Sequence, residues 1–161
     1  MDLSVALKAL EHSSLADAMR HSLWLYPIVE IVHISGFVLL VGAVVLFDLR
    51  LLGFSSSTPL RALQRSLLPW AWAALLLILP SGIAMFSAHA TDFAGNPAFR
   101  VKLVLLVGAA VNAFVFHNTV FRSVPAWDQH RPTPGAAKFS AALSLAIWAG
   151  VISCGRLIAY L

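Results

Sequence analysis

Residues 26–52 read YPIVEIVHISGFVLLVGAVVLFDLRLL, and this stretch decides the fold. A hydrocarbon core of roughly 30 Å takes about 20 apolar residues of helix to cross, and the stretch supplies them. Inside it lie Glu30 and His33. A charged group in the middle of a span costs at least about 2.5 kcal/mol on insertion scales, so the rest of the chain must house these two residues. Their i, i+3 spacing puts them on one helix face. At about 100° per residue, Phe37, Val41, Val44 and Asp48 continue that side.

Composition points the same way. Of 161 residues, 60% are hydrophobic and 11% charged, far from the balance of a soluble domain. The formal charge of +4, from 11 Lys+Arg against 7 Asp+Glu, is read as setting orientation and lipid contact, with no nucleic-acid partner expected. Cys154 is the only cysteine, which excludes an intramolecular disulfide and a Cys-x-x-Cys-His haem attachment. Asp2, Glu11 and Asp17 interrupt the N-terminal stretch, so no cleavable signal is expected there.

Working outward, residues 1–25 are expected to form short interfacial helices. Over residues 2–12, Leu3, Ala6, Leu7 and Leu10 follow helical spacing. Ser14 followed by Asp17 resembles a capping box with Asp in place of Glu, so a second helix is predicted from near Leu15. Arg20, His21 and Trp24 suit the headgroup level. Gly53 should stop the first span. Further apolar runs predict spans at 66–87, 98–121 and 136–160, with connectors at 54–59, 89–97 and 122–135. The expected fold class is all-α: an integral membrane four-helix up-down bundle, a single membrane domain over 1–161, preceded by amphipathic helices.

Arg50, Arg61, Arg65, Arg122, Arg131 and Lys138 fall on the side of the connections between spans one and two and between three and four. Lys8, Arg20, Arg100, Lys102 and Arg156 fall on the other. By the positive-inside rule this one-charge margin places the termini in the periplasm of a bacterium, with the chain multi-pass in the inner membrane.

Parallel spans one and three put Glu30 level with Lys102 and Asp48 level with Arg122. The plain expectation is two ion pairs that make the buried charges tolerable. The sharper one makes His33 a haem ligand, since imidazole holds haem iron and bundle cores hold cofactors between helices. His117 on the third span is the candidate second ligand for iron or another metal, although the two histidines are offset along the axis by roughly 10–13 Å. Lys102 is the other candidate. Gly36, Ala109 and Ala113 could make room for the ring, and Lys102, Arg100 or Arg20 could meet its propionates. His12 and His130 are expected to be solvated. No His-x-x-x-His, Cys-x-x-Cys or carboxylate cluster supports a zinc or calcium site. No phosphate loop or nucleophile–base arrangement supports a hydrolase or kinase.

Residues 20–27 (RHSLWLYP), Glu30-x-x-His33, residues 48–53 (DLRLLG) and residues 99–103 (FRVKL), with Asn112 and His117, resemble an uncharacterised family of small four-span bacterial inner-membrane proteins. A more distant resemblance is to membrane families related to copper-resistance protein D and to haem-binding membrane protoporphyrinogen oxidases. Those place a histidine early in span one and a lysine at the start of span three, matched here by His33 and Lys102. The chain departs from that pattern with Glu30 one turn before the histidine.

The leading expectation is therefore a b-type-haem-binding electron-transfer component of a membrane oxidoreductase, with other redox subunits or a quinone as partners within the lipid bilayer. Its cofactor site would use His33, His117 and Lys102, with Glu30, Arg100 and Asn112 around them. The alternative is a small transporter or metal-handling protein in which Glu30, His33, Asn112 and His117 line a polar path. A structural or assembly subunit of a membrane complex is the third.

Overall fold

The structure, a computed structural model, describes residues 3–128 and 132–161. Asp2, His130 and Arg131, to which the sequence assigned a helix start, a solvated side chain and a connector charge, lie outside the described residues. Among the described residues there are seven α-helices: α1 (Leu3–Glu11), α2 (Ser14–His21), α3 (Leu25–Leu52), α4 (Leu60–Ala88), α5 (Ala90–Gly95), α6 (Pro97–Asn118) and α7 (Gly135–Leu157). A 3-10 segment, Val120–Ala126, follows α6. Helices α3, α4, α6 and α7 are long and apolar enough to cross a membrane, which makes this the expected multi-pass four-helix bundle.

The helix ends follow local chemistry. Gly53 ends α3 in the left-handed region at φ 114°, and its N–H and that of Phe54 bond back to Arg50 and Leu49. Asn96 caps α6 by accepting the Phe99 N–H at 3.1 Å, with Pro97 in the first turn. Ser13, not Ser14, caps α2: its hydroxyl accepts the Ala16 N–H at 3.2 Å from an extended backbone. The capping-box reading was one residue late.

Three boundaries also differ from expectation. Helix α4 begins at Leu60 rather than near residue 66. Arg61, Gln64 and Arg65 make its first two turns polar, so hydropathy alone cannot see them. The fold can, because the Asp128 carboxylate accepts the Leu60 N–H at 2.5 Å and satisfies a free donor of the first turn. The connector at 89–97 contains α5, and the one after α6 opens as a 3-10 segment.

The spans pack as a row, α4 against α3, α3 against α7, and α7 against α6. Helices α4 and α6 meet at one end, where Phe86 stacks on Phe99 at 5.5 Å, and make few other contacts, which leaves the rest of the fourth side open. Two crossings are tight. A β-carbon on Gly36 would lie 2.9 Å from Leu77 Cβ and 3.2 Å from the Ala74 carbonyl, so α3 and α4 meet there backbone to backbone. Gly150 of α7 takes the Leu105 side chain of α6 in the same way.

The two ends of the bundle are closed differently. At the α3–α4 connection, Leu51, Leu60, Phe116, Val124 and Trp127 form a buried cluster with Ala137 and Ala141. Arg50 is itself buried there, donating to the Thr58 carbonyl at 2.6 Å and the Asp128 carbonyl at 3.0 Å. At the other end α1 and α2 fold over α4 and α5, burying Ala16 and Met19 beside Ala88 and Ala90. Glu11 accepts both the Thr91 N–H, at 2.8 Å, and the Thr91 hydroxyl. These hydrogen bonds hold its carboxyl below the usual range. Arg20 donates to the Ala88 and Glu11 carbonyls, at 2.9 and 2.7 Å.

Candidate functional site

The half of α3 nearer its C-terminus faces a chamber of about 150 Å³ between the four spans, bordering the open side between α4 and α6. An apolar cavity of about this size holds a benzene ring. Its walls are Phe47 and Leu51 of α3, Leu67 and Ala71 of α4, and Ala113 and Phe116 of α6, with Phe47 and Phe116 edge to face at 5.9 Å. Polar groups enter at Asp48, Gln64, Asn112, His117, Ser140 and Ser144.

These polar groups are not equally satisfied. Asn112 and Ser140 bracket α6 and α7 reciprocally: the amide donates to the Ser140 carbonyl at 3.0 Å, and the Ser140 hydroxyl donates to the amide oxygen at 3.0 Å. His117 donates from Nδ1 to the Ala113 carbonyl one turn back, at 2.8 Å. Asp48 is only 5% exposed. The Ser144 hydroxyl approaches one side of its carboxyl, while Oδ2 is the one enclosed side-chain oxygen or nitrogen without a hydrogen-bond partner among the described residues. Buried polar groups are nearly always paired, so this atom needs a reason.

A second polar locus lies nearer the other end. His33 Nδ1 is 3.0 Å from Ser81 Oγ of α4. The single hydroxyl hydrogen of Ser81 points to the Leu77 and Ile78 carbonyls, at 2.5 and 3.2 Å. Toward the imidazole Ser81 therefore accepts, Nδ1 carries the hydrogen, and Nε2 keeps its lone pair.

The residues singled out in the sequence are dispersed. Glu30 and Lys102 do not pair, and neither do Asp48 and Arg122; among the described residues the only ion pairs are Asp17–His21 and His89–Asp92, both at the surface. Glu30 faces outward, exposed. The Lys102 ammonium runs instead toward Gly155 of α7, 3.9 Å from where a β-carbon would stand. Arg122 is exposed on the 3-10 segment, and Arg100 donates to the Ala94 carbonyl at 2.7 Å.

His33 and His117 are not brought together either. Phe47 touches Phe116, the neighbour of His117, and from His33 to Phe47 the rise along α3 is about 21 Å. No single iron bridges that. The small residues expected to admit a haem are also in use. Gly36 is closed by α4, and Gly82 receives the His33 ring itself, with Cε1 3.1 Å from a β-carbon position. No group of three or more metal-ligating side chains occurs among the described residues.

Residues 25–161, the whole bundle from the start of α3, match a family of unknown function, DUF6644. The chain belongs to that family. No curated protein and no solved structure matches the chain. The expected kinship with an uncharacterised family is thus shown, while nothing supports the likeness to copper-resistance or haem-binding families. In this DUF6644 member the sequence reasoning missed Asp48, Ser140 and Ser144 as chamber residues. Their signal was depth: Asp48, Asn112 and Ser144 are polar residues on three different spans at one level of the bundle.

Proposed function

We propose that this DUF6644 protein binds a small, largely apolar molecule within the bilayer, as a carrier or small transporter, and that the chamber around Asp48 is its binding site. The observation that supports this is an enclosed carboxylate oxygen left without a partner on the wall of a ring-sized apolar cavity. Side chains of such exposure are normally paired, and natural proteins leave one unpaired where function needs it. The way in is lateral. The cluster around Leu51, Leu60 and Val124 closes the aqueous end, whereas the α4–α6 side faces lipid.

In this reading the membrane is the bacterial inner membrane and the termini are periplasmic. Arg50 is committed to the fold and Lys102 is half-buried, so each side loses one charge and the margin in favour of that orientation persists.

The test is saturable binding of benzyl alcohol to the protein in nanodiscs, followed by ligand-observed NMR, in the native chain and in Ala113→Phe, which fills the chamber. Binding present in the first and lost in the second is expected. Equal signals in both would overturn the chamber as the site.

The free Nε2 of His33 favours a second reading, the haem-linked electron-transfer role with His33 as the single axial ligand. Its Nδ1–H is fixed by Ser81, as ligating histidines are usually fixed from behind. With Gly36 and Gly82 occupied, the ring would have to approach from outside the α3–α4 crossing. Oxidised and reduced absorption spectra of haem-supplemented protein decide it: a Soret band lost in His33→Ala supports haem, and a colourless protein removes it.

A further inference from the structure

The chemistry of the chamber narrows what it can hold. Two of the polar contacts on its wall are made within the protein, Asn112 with Ser140 and His117 Nδ1 with the Ala113 carbonyl. The atom left over, Asp48 Oδ2, belongs to a carboxyl group. No lysine or arginine lines the chamber among the described residues. The chamber therefore presents an acidic group with no cation beside it, the neutral Gln64 amide being among its donors. Two aromatic rings, Phe47 and Phe116, stand beside the vacancy, and aromatic faces attract a cation.

We propose that the ligand is a small primary amine on an apolar body of about one ring, its ammonium paired with the Asp48 carboxylate and its ring lying against Phe47, Phe116 and Ala71. This rests on the chamber reading above and assigns its ligand class. Charge-assisted N–H···O bonds are roughly twice as strong as neutral ones, and more so away from water. Amine and carboxylate make the site neutral together, which suits the bilayer interior. An amphiphile of this kind partitions into the membrane and reaches the chamber through the gap between α4 and α6.

The experiment uses the full chain in phosphatidylcholine nanodiscs, because that headgroup has no N–H to donate and no aminolipid competes. Three probes share one ring: benzylamine, benzyl alcohol, and acetophenone, which carries an acceptor in place of a donor. In the native protein benzylamine is expected to bind at least tenfold more tightly than either neutral probe. In Asp48→Asn, a near-isostere, its advantage over benzyl alcohol should disappear. Equal affinities in the native protein, or a preference for acetophenone, would overturn the amine while leaving the chamber as a binding site. No binding of any probe would overturn the chamber reading as well. Comparing probes on the native chain needs no variant, so a poorly folding Asp48→Asn would not rescue the proposal.

Discussion

His33 and Asp48 sit on the same helix, about 22 Å apart along its axis, and the bundle treats them oppositely. His33 lies against the tight α3–α4 crossing, its Nδ1 held by Ser81 and its ring against Gly82. Asp48 lies where the bundle is open, more deeply buried than His33 and with one oxygen unpaired. The sequence makes His33 the more conspicuous of the two, a lone imidazole in mid-span beside a carboxylate. Packing reverses that order. A polar group that a neighbour satisfies can be explained by the fold alone; one that the fold leaves unsatisfied in a cavity calls for something from outside.

This contrast can be broken from either end. The largest effect is expected at the closed end of the chamber, from Arg50→Ala. It removes the donors to the Thr58 and Asp128 carbonyls and the buried packing of the Arg50 side chain, a loss of about 3 kcal/mol. Thermal unfolding in detergent should show it, and a change within error would mean that the α3–α4 connection is not held by Arg50. Next comes the α3–α4 crossing. Gly36→Val pushes two backbones apart and should cost about 2 kcal/mol, with benzyl alcohol binding at the distant chamber intact. Loss of that binding would show that the two halves are coupled.

Ser81→Ala tests the His33 locus more gently. The bond to His33 is lost together with the hydroxyl's bonds back to Leu77 and Ile78, at a net cost of about 1 kcal/mol, and amine binding should be unaffected. The smallest effect is local and lies outside the spans. Glu11 has its carboxyl pKa lowered by Thr91 in the folded state, so its contribution is present above the unfolded value near 4.5 and is lost as pH falls through the folded one. Below that range α1 and α2 should loosen from α5, seen as faster amide exchange in residues 3–21 while the spans stay protected. Glu11→Gln should reproduce the loosening at neutral pH; unchanged exchange in both cases would remove Glu11 as the tie.

How much of this was legible beforehand follows from range. Hydropathy and the stop at Gly53 read out the four spans and their order, because crossing a bilayer is a property of each segment alone. The start of α4 was hidden because Asp128, 68 residues away, supplies its first-turn acceptor. The ion pairs were misjudged for a similar reason. Depth along an axis can be counted from sequence, but which way each side chain turns cannot: Glu30 faces outward and Lys102 runs toward Gly155 of α7. Asp48 was noticed as a charge needing a partner. That its partner is missing emerges only once the other three spans are placed around it.

The most direct measurement is the melting temperature of the native protein and of Asp48→Asn, each in phosphatidylcholine nanodiscs with and without benzylamine. Without the amine, Asp48→Asn should melt higher, since an unpaired buried carboxylate is kept at the expense of stability. Benzylamine should raise the native melting temperature and leave that of the variant unchanged. A variant that melts lower than the native protein, or an equal response to the amine in both, would contradict the account.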